Sequence, residues 1–156
     1  MNIQLSCGLR EDAVMSRASI ASKHALFDLL SQQAEAAYGL DAEQLRAALE
    51  QRESLGSTGF GSGVAIPHAR LAGLDEPLGL FVRLDKALDY ASIDDRPVDL
   101  IFCLVSPAGD GARHLRVLAE VSRTMRSESN QQRLRGAADA AAIFSLLSGL
   151  YEFDAA

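Results

Sequence analysis

The side chains in this sequence that point to covalent chemistry are its histidines. The chain has three histidines, His24, His68 and His114. A protruding imidazole is largely unprotonated near neutral pH and can attack an electrophile. When the electrophile is a phosphoryl group, the product is a phosphohistidine. Phosphoryl transfer asks the protein for in-line positioning and for donors or positive charge around three anionic oxygens. Arg52 offers a planar fork for bidentate phosphate contact. The stretch from Gly56 to Gly63 holds four glycines in eight residues, and its backbone amides can turn inward as an anion nest. Ser57 and Thr58 add hydroxyl donors, and Gly59 sits beside them in the same stretch. His24 lies among polar neighbours and reads as a solvated surface residue. Spacing alone does not decide between a phosphoryl site and unrelated surface histidines.

Better-known motifs do not fit the same residues. Gly56 and Gly61 have Walker A spacing, but Ser62 stands where the lysine is required. Gly59-Phe60-Gly61 opens like a dinucleotide fingerprint, with Val64 in place of the third glycine. Ser62 is flanked by Phe60 and Val64 where a nucleophile elbow needs glycines. A metal-dependent hydrolase using His68 and His114 as ligands is the contrasting reading. It lacks a His-x-x-x-His or His-Glu-x-x-His pair and an obvious third ligand, so no metal and no cofactor is expected.

The elements that must position these residues follow from periodicity. Residues 22–38 carry Ala25, Leu26, Leu29, Leu30, Ala34 and Ala37 at helical spacing, and Gly39 is placed to end the helix. Asp41 starts a second helix with Gln44 as capping partner, running to Arg52 or Glu53. Val64 to His68 is strand-like but interrupted by Pro67, which places it at a sheet edge and leaves His68 where a strand gives way to a loop. Leu78 to Leu84 is an apolar strand. Val98 to Val105 is nearly all apolar and so central, covered on both faces. After a loop over Ser106 to Gly111, His114 to Arg126 forms a helix and puts His114 near a helix N-terminus, a favourable anion position. A short helix is expected over Gln131 to Leu134 and a last one over Asp139 to Leu147, with Asp139 as N-cap. Residues 1–20 give little signal beyond a possible edge strand over Ile3 to Leu5. Helices before, between and after strands point to a single α/β domain spanning 1–156, its core about 3–148.

Composition narrows the partners. The chain has 156 residues, 48% apolar and 23% charged, as ordinary globular domains do. A net charge of −6 and a pI near 5.0 argue against nucleic acid. The six arginines from Arg113 to Arg135 read as a solvated or partner-facing surface. There is no signal peptide and no apolar run long enough to span a membrane, so a cytoplasmic protein without membrane insertion is expected. Cys103 lies in the run Ile101-Phe102-Cys103-Leu104-Val105 and reads as a buried thiol.

The run Arg52-Glu53-Ser54-Leu55-Gly56-Ser57-Thr58-Gly59-Phe60-Gly61-Ser62-Gly63-Val64-Ala65-Ile66-Pro67-His68 resembles a signature of the type-2 (fructose/mannitol-type) enzyme IIA domains of the bacterial phosphotransferase system. The resemblance continues through Pro97-Val98-Asp99-Leu100-Ile101-Phe102 to His114-Leu115 with Leu118-Ala119. Leu55 to Gly59 and Val64 to Arg70 are most similar to the nitrogen-regulatory branch. This resemblance implies a mixed sheet of about five strands with helices on both faces. It implies His68 as phosphoryl acceptor, His114 as second active-site histidine and Arg52 as the phosphate-steering arginine, with Thr58 as a loop hydroxyl beside the site. The implied donor is a histidine phosphocarrier protein, which docks over His68 on apolar contacts. Phe60 is a candidate for those contacts or for the core. The implied role is regulation of targets such as transporters or kinases according to phosphorylation state. A sugar-specific IIA component donating to a separate IIB protein is the alternative. Arg113, beside His114 in a charged, glycine-rich loop, departs from the expected pattern and is a candidate modifier of the site.

Overall fold

The structure, a computed structural model, describes residues 7–155, with side chains described through residue 148. The possible strand over Ile3 to Leu5 lies outside the described residues. A short 3-10 turn, Glu11–Ala13, leads into β1 (Val14–Arg17). Two helices follow, α1 (Lys23–Tyr38) and α2 (Ala42–Ser54). Then come β2 (Gly59–Gly61), β3 (Val64–Ala65), β4 (His68–Leu71), β5 (Leu78–Leu88) and β6 (Val98–Pro107). The chain continues through α3 (Gly111–Arg126), α4 (Glu128–Gly136) and α5 (Ala140–Ala155).

The strands form one six-stranded mixed sheet in the order β1-β5-β6-β3-β2, with β4 also pairing with β6. The expected five strands become six because the Val64–His68 segment divides. β3 runs parallel to β6 with Ala65 opposite Ile101, and β4 resumes the same register with His68 opposite Leu104. Only Ile66 and Pro67 interrupt this edge. His68 therefore opens a new strand, where the sequence reading put a strand end giving way to a loop. Strand alternation sorts the core into two layers. Val98, Ile101, Cys103 and Val105 of β6 pack with Leu26, Leu30, Leu45 and Leu49 of α1 and α2. Leu100, Phe102 and Leu104 pack with Val117, Val121, Leu134 and Ile143 of α3, α4 and α5. β6 is thus covered on both faces, as its apolar run requires.

Helix ends follow local side-chain chemistry. Ser22 accepts from the Ala25 amide, Asp41 from Gln44 and Asp139 from Ala142, each satisfying a first-turn donor. Gly39 closes α1 in the left-handed region at φ 71°. α3 begins earlier than expected. Asp110 caps it through the Arg113 amide, so the helix starts at Gly111 and His114 lies one turn in. α4 is longer than the expected Gln131–Leu134 because Ser127 caps it through Asn130. β1 went unread because it is a four-residue edge strand beside β5, too short to show alternation.

The glycine-rich stretch is a β-hairpin. Ser62 and Gly63 both take positive φ, 60° and 79°, as a two-residue turn between β2 and β3 demands. At Gly59 the backbone passes so close to its neighbours that a Cβ would lie 2.9 Å from the Tyr90 ring. Gly59→Ala is therefore expected to lose about 1–3 kcal/mol of stability from overpacking, read as a lower urea midpoint with an unchanged slope.

Candidate functional site

His68, Arg52 and His114 come from three elements and meet in one open cleft of about 590 Å³. α2 contributes Ala48, Gln51 and Arg52, with Leu55 just past its end. β4 contributes His68, Ala69 and Arg70. The turn after β6 and the start of α3 contribute Ala108, Gly111, His114 and Leu115. The His68 and His114 rings are 5.5 Å apart between centroids and tilted by 43°.

The Ile66 carbonyl sets the tautomer of His68. Pro67 has no N–H for the ladder, and the Ile66 carbonyl takes the His68 side chain as its partner. His68 Nδ1 lies 2.9 Å from that carbonyl, which only accepts, so Nδ1 carries the proton. On the other side, Arg52 Nε donates to His68 Nε2 at 3.2 Å. A guanidinium only donates, so Nε2 presents its lone pair. Burial lowers the His68 pKa, the Ile66 carbonyl opposes this, and the Arg52 charge lowers it further. The ring is neutral at pH 7, with its nucleophilic nitrogen turned to the arginine. Arg52 is itself fixed, because Nη1 donates to the Gly56 carbonyl at 3.0 Å.

His114 is buried, and its Nδ1 lies 2.7 Å from Ser106 Oγ. Burial, then the neighbouring His68 and Arg70, hold its pKa down to about 4. Arg70 lines the cleft two residues after His68, on the same side of β4.

The loop amides do turn toward anions, but the anions are the protein's own carboxylates. The Thr58 amide and hydroxyl both donate to Glu53, and the Ser62 amide donates to Asp94. The Gly59 amide donates to Ser57 Oγ. Ser57, Thr58 and Gly59 were expected to bind phosphate, yet none of them lines the cleft. Thr58 is buried and reaches Tyr90 at 2.8 Å as well as Glu53. Glu53 also receives Lys23 at 2.9 Å. Burial raises the Glu53 pKa, but the bonds from Thr58 and Lys23 outweigh it and hold the carboxyl below its usual range. One ionised carboxylate thus ties α1, the end of α2, the hairpin and Tyr90 together, next door to Arg52.

Phe60 and Arg113 lie elsewhere. Phe60 is half-buried against the α3 side of the core, with Arg126 4.9 Å above its ring. The Arg113 guanidinium donates to the Asp75 carbonyl at 3.2 Å. His24 sits on the surface between Glu50, at 2.6 Å, and Asp28, at 3.6 Å. Among the described residues no group of three or more His, Cys, Asp or Glu is placed to hold a metal ion. No helix among them is long and apolar enough to cross a membrane.

The family model for the phosphoenolpyruvate-dependent sugar phosphotransferase system, EIIA 2, matches residues 9–149. The chain belongs to this EIIA type-2 family. A nitrogen regulatory protein of Bradyrhizobium diazoefficiens is 40% identical over 137 residues, covering 88% of this chain and 90% of the relative. The nitrogen regulatory protein of Escherichia coli K12 is 32% identical over 147 residues, 94% of this chain and 90% of the relative. The crystal structure of the nitrogen regulatory protein IIA-Ntr from Neisseria meningitidis superposes with a TM-score of 0.82 at 32% identity, covering 89% and 95% of the two chains. As an EIIA type-2 domain, the chain is a phosphotransferase-system component with a general phosphoryl-transfer role.

Sequence reasoning gave no role to Glu53, Arg70 or Ser106. Alternation along β4 was the signal for Arg70, and alternation along β6 places Ser106 on the Leu104 side, beneath α3. Nothing in the local sequence marked Glu53, whose partners come from distant segments.

The histidine environments have a consequence for pH. An unfolded histidine protonates near pH 6.5, while native His114 resists until about 4. Between these values the unfolded state binds more protons at this site, so the His114 contribution to stability falls as pH drops through the window and levels off below it. His114 is expected to titrate near pH 4 in an NMR pH series, and replacing it with Gln should flatten the stability curve between pH 6.5 and 4.

Proposed function

We propose that the protein carries a phosphoryl group on His68 Nε2, received from a histidine phosphocarrier protein, and that its phosphorylation state regulates target proteins such as transporters or kinases. The observation that supports this most is the fixed tautomer of His68: the Ile66 carbonyl takes the Nδ1 proton, and the Nε2 lone pair faces the cleft, where Arg52 donates to it. In the transfer, a bond forms from Nε2 to phosphorus. The phosphorus–nitrogen bond of the donor histidine breaks, and its electron pair returns to the donor ring. The Nδ1 proton stays on His68, where the Ile66 carbonyl supports the positive charge the ring acquires. Arg52, freed from Nε2, turns its donors to the phosphoryl oxygens, and Arg70 and His114 face the same space. No metal or cofactor enters this chemistry.

Ser57, Thr58 and Gly59 act at one remove in this reading. They hold Glu53 and the hairpin, and so hold the end of α2 that bears Arg52. The carrier docks over the cleft on Leu55 and Leu115, which are 80% and 66% exposed at its rim. These two side chains take the role that Phe60 was a candidate for. The regulatory reading is favoured over a sugar-specific one by the names of relatives that cover most of the chain, the nitrogen regulatory proteins. A fructose-specific EIIA component of Haloferax volcanii matches at 32% identity over 67% of this chain. Transfer of label to a IIB cysteine, compared with binding of the unphosphorylated form to regulatory targets, separates the two.

Two experiments test this reading. A phosphoenolpyruvate-driven relay should label the protein once, with an acid-labile, alkali-stable phosphate. His68→Ala should take no label, and equal labelling of that variant would overturn the reading. His114→Ala should still accept phosphate but pass it on poorly. In the second experiment, Leu55→Asp with Leu115→Asp should cut the rate of transfer from the carrier about tenfold or more. The melting temperature should barely move, since both side chains stand in solvent.

A further inference from the structure

Ser106 lies at the end of β6 opposite Arg70, is fully buried, and places its hydroxyl 2.7 Å from His114 Nδ1. The hydroxyl has no other hydrogen-bond partner among the described residues. Two arrangements are open to such a pair. If Nδ1 carried the proton and donated to Ser106, the buried hydroxyl hydrogen would have no acceptor, a costly state. If Ser106 donates to Nδ1, both groups are satisfied and the ring proton must sit on Nε2. The Nε2 edge is the one turned away from Ser106, on a ring that lines the cleft 5.5 Å from His68.

We infer that Ser106 is a positioning residue that fixes His114 as the Nε2–H tautomer, making His114 a neutral hydrogen-bond donor to the phosphoryl oxygens in the cleft. The inference rests on the functional reading above for the identity of the ligand, but not for the tautomer. The two histidines then hold opposite tautomers for opposite tasks. His68 presents a lone pair at Nε2, because the Ile66 carbonyl takes its Nδ1 proton. His114 presents a proton at Nε2, because a serine hydroxyl occupies its Nδ1 lone pair. No proton changes hands during transfer: His114 keeps its own while the phosphoryl group moves between the carrier's ring and His68. A neutral donor also suits a reversible relay. A cationic His114 would bind the dianionic group more strongly and slow its release, and Arg70 beside it already disfavours the charge.

The test uses the full chain with ¹⁵N-labelled histidine. Long-range ¹H–¹⁵N correlation spectra at pH 7, with signals assigned by comparison with His114→Ala, report the tautomer of each ring. The wild type is expected to show His114 protonated at Nε2 and His68 at Nδ1. Threonine and valine are nearly isosteric, so Ser106→Thr and Ser106→Val impose the same packing change and differ in the hydroxyl. Ser106→Thr should keep the His114 tautomer. Ser106→Val should convert it to a mixture or to the Nδ1–H form and slow transfer about tenfold or more relative to Ser106→Thr, with the label still on His68. A wild-type His114 protonated at Nδ1 overturns the inference, as do identical tautomers and rates in the two variants. If Ser106→Val does not fold, the wild-type spectrum decides alone. A wild type that accepts no phosphate at His68 overturns the functional reading and leaves the tautomer assignment to the same spectrum.

Discussion

The arrangement of this protein depends on the carbonyl of Ile66 being unavailable to the sheet. Pro67 interrupts the edge that β3 and β4 make along β6, yet the register on either side is preserved, with Ala65 opposite Ile101 and His68 opposite Leu104. The chain neither slips nor bulges there. It spends one carbonyl on a side chain, and that side chain is His68. An imidazole bound at Nδ1 by an acceptor has one possible neutral tautomer, so a backbone detail becomes a chemical property. Arg52 completes it from α2 by donating to the remaining nitrogen.

The surroundings serve to keep these two contacts in place. Arg52 comes from the last turn of a helix whose end would otherwise fray. Glu53, the next residue, anchors that end through Thr58, Tyr90 and Lys23. Removing one partner of this carboxylate would cost far more than breaking a surface ion pair, because it leaves the charge buried and incompletely paired. Gly59 allows the hairpin to approach Tyr90 and Ser92 closely, beside the Thr58 donors. On the far side, the α3 turn is carried on the α3–α5 core and brings His114 over β4. The cleft lies where the helices of the two layers meet beside the edge strand β4, and its chemistry is divided among residues from α2, β4 and α3.

Much of this is legible in the sequence, and the divide is physical. Caps such as Ser22, Asp41 and Asp139 act within three residues, so local sequence reveals them. The apolar run of β6 reveals itself because it is covered on both faces. His68, Arg52 and His114 stand out by residue type and by the resemblance from Arg52 through Ile66-Pro67-His68. What escaped depends on partners far apart in the chain. β1 needs β5, and Glu53 needs Lys23 and Tyr90. Thr58 and Gly59 looked like phosphate ligands because glycine-rich loops with hydroxyls often are. Nothing local reveals that Glu53 takes the Thr58 donors, or that the Ser57 hydroxyl takes the Gly59 amide. Arg113 had the better position on paper, next to His114, but Asp75 holds it and Arg70 enters the cleft instead.

The claim on which the rest stands is that His68 Nε2 receives the phosphoryl group. Protein labelled with ¹⁵N in its histidines, phosphorylated through the relay and observed by ¹⁵N and ³¹P NMR, answers it directly. The account predicts a single phosphorylated ring, His68, with phosphorus coupled to Nε2 and the proton retained at Nδ1 against the Ile66 carbonyl. Phosphorus on Nδ1 of His68, or on His114 or His24, would contradict it.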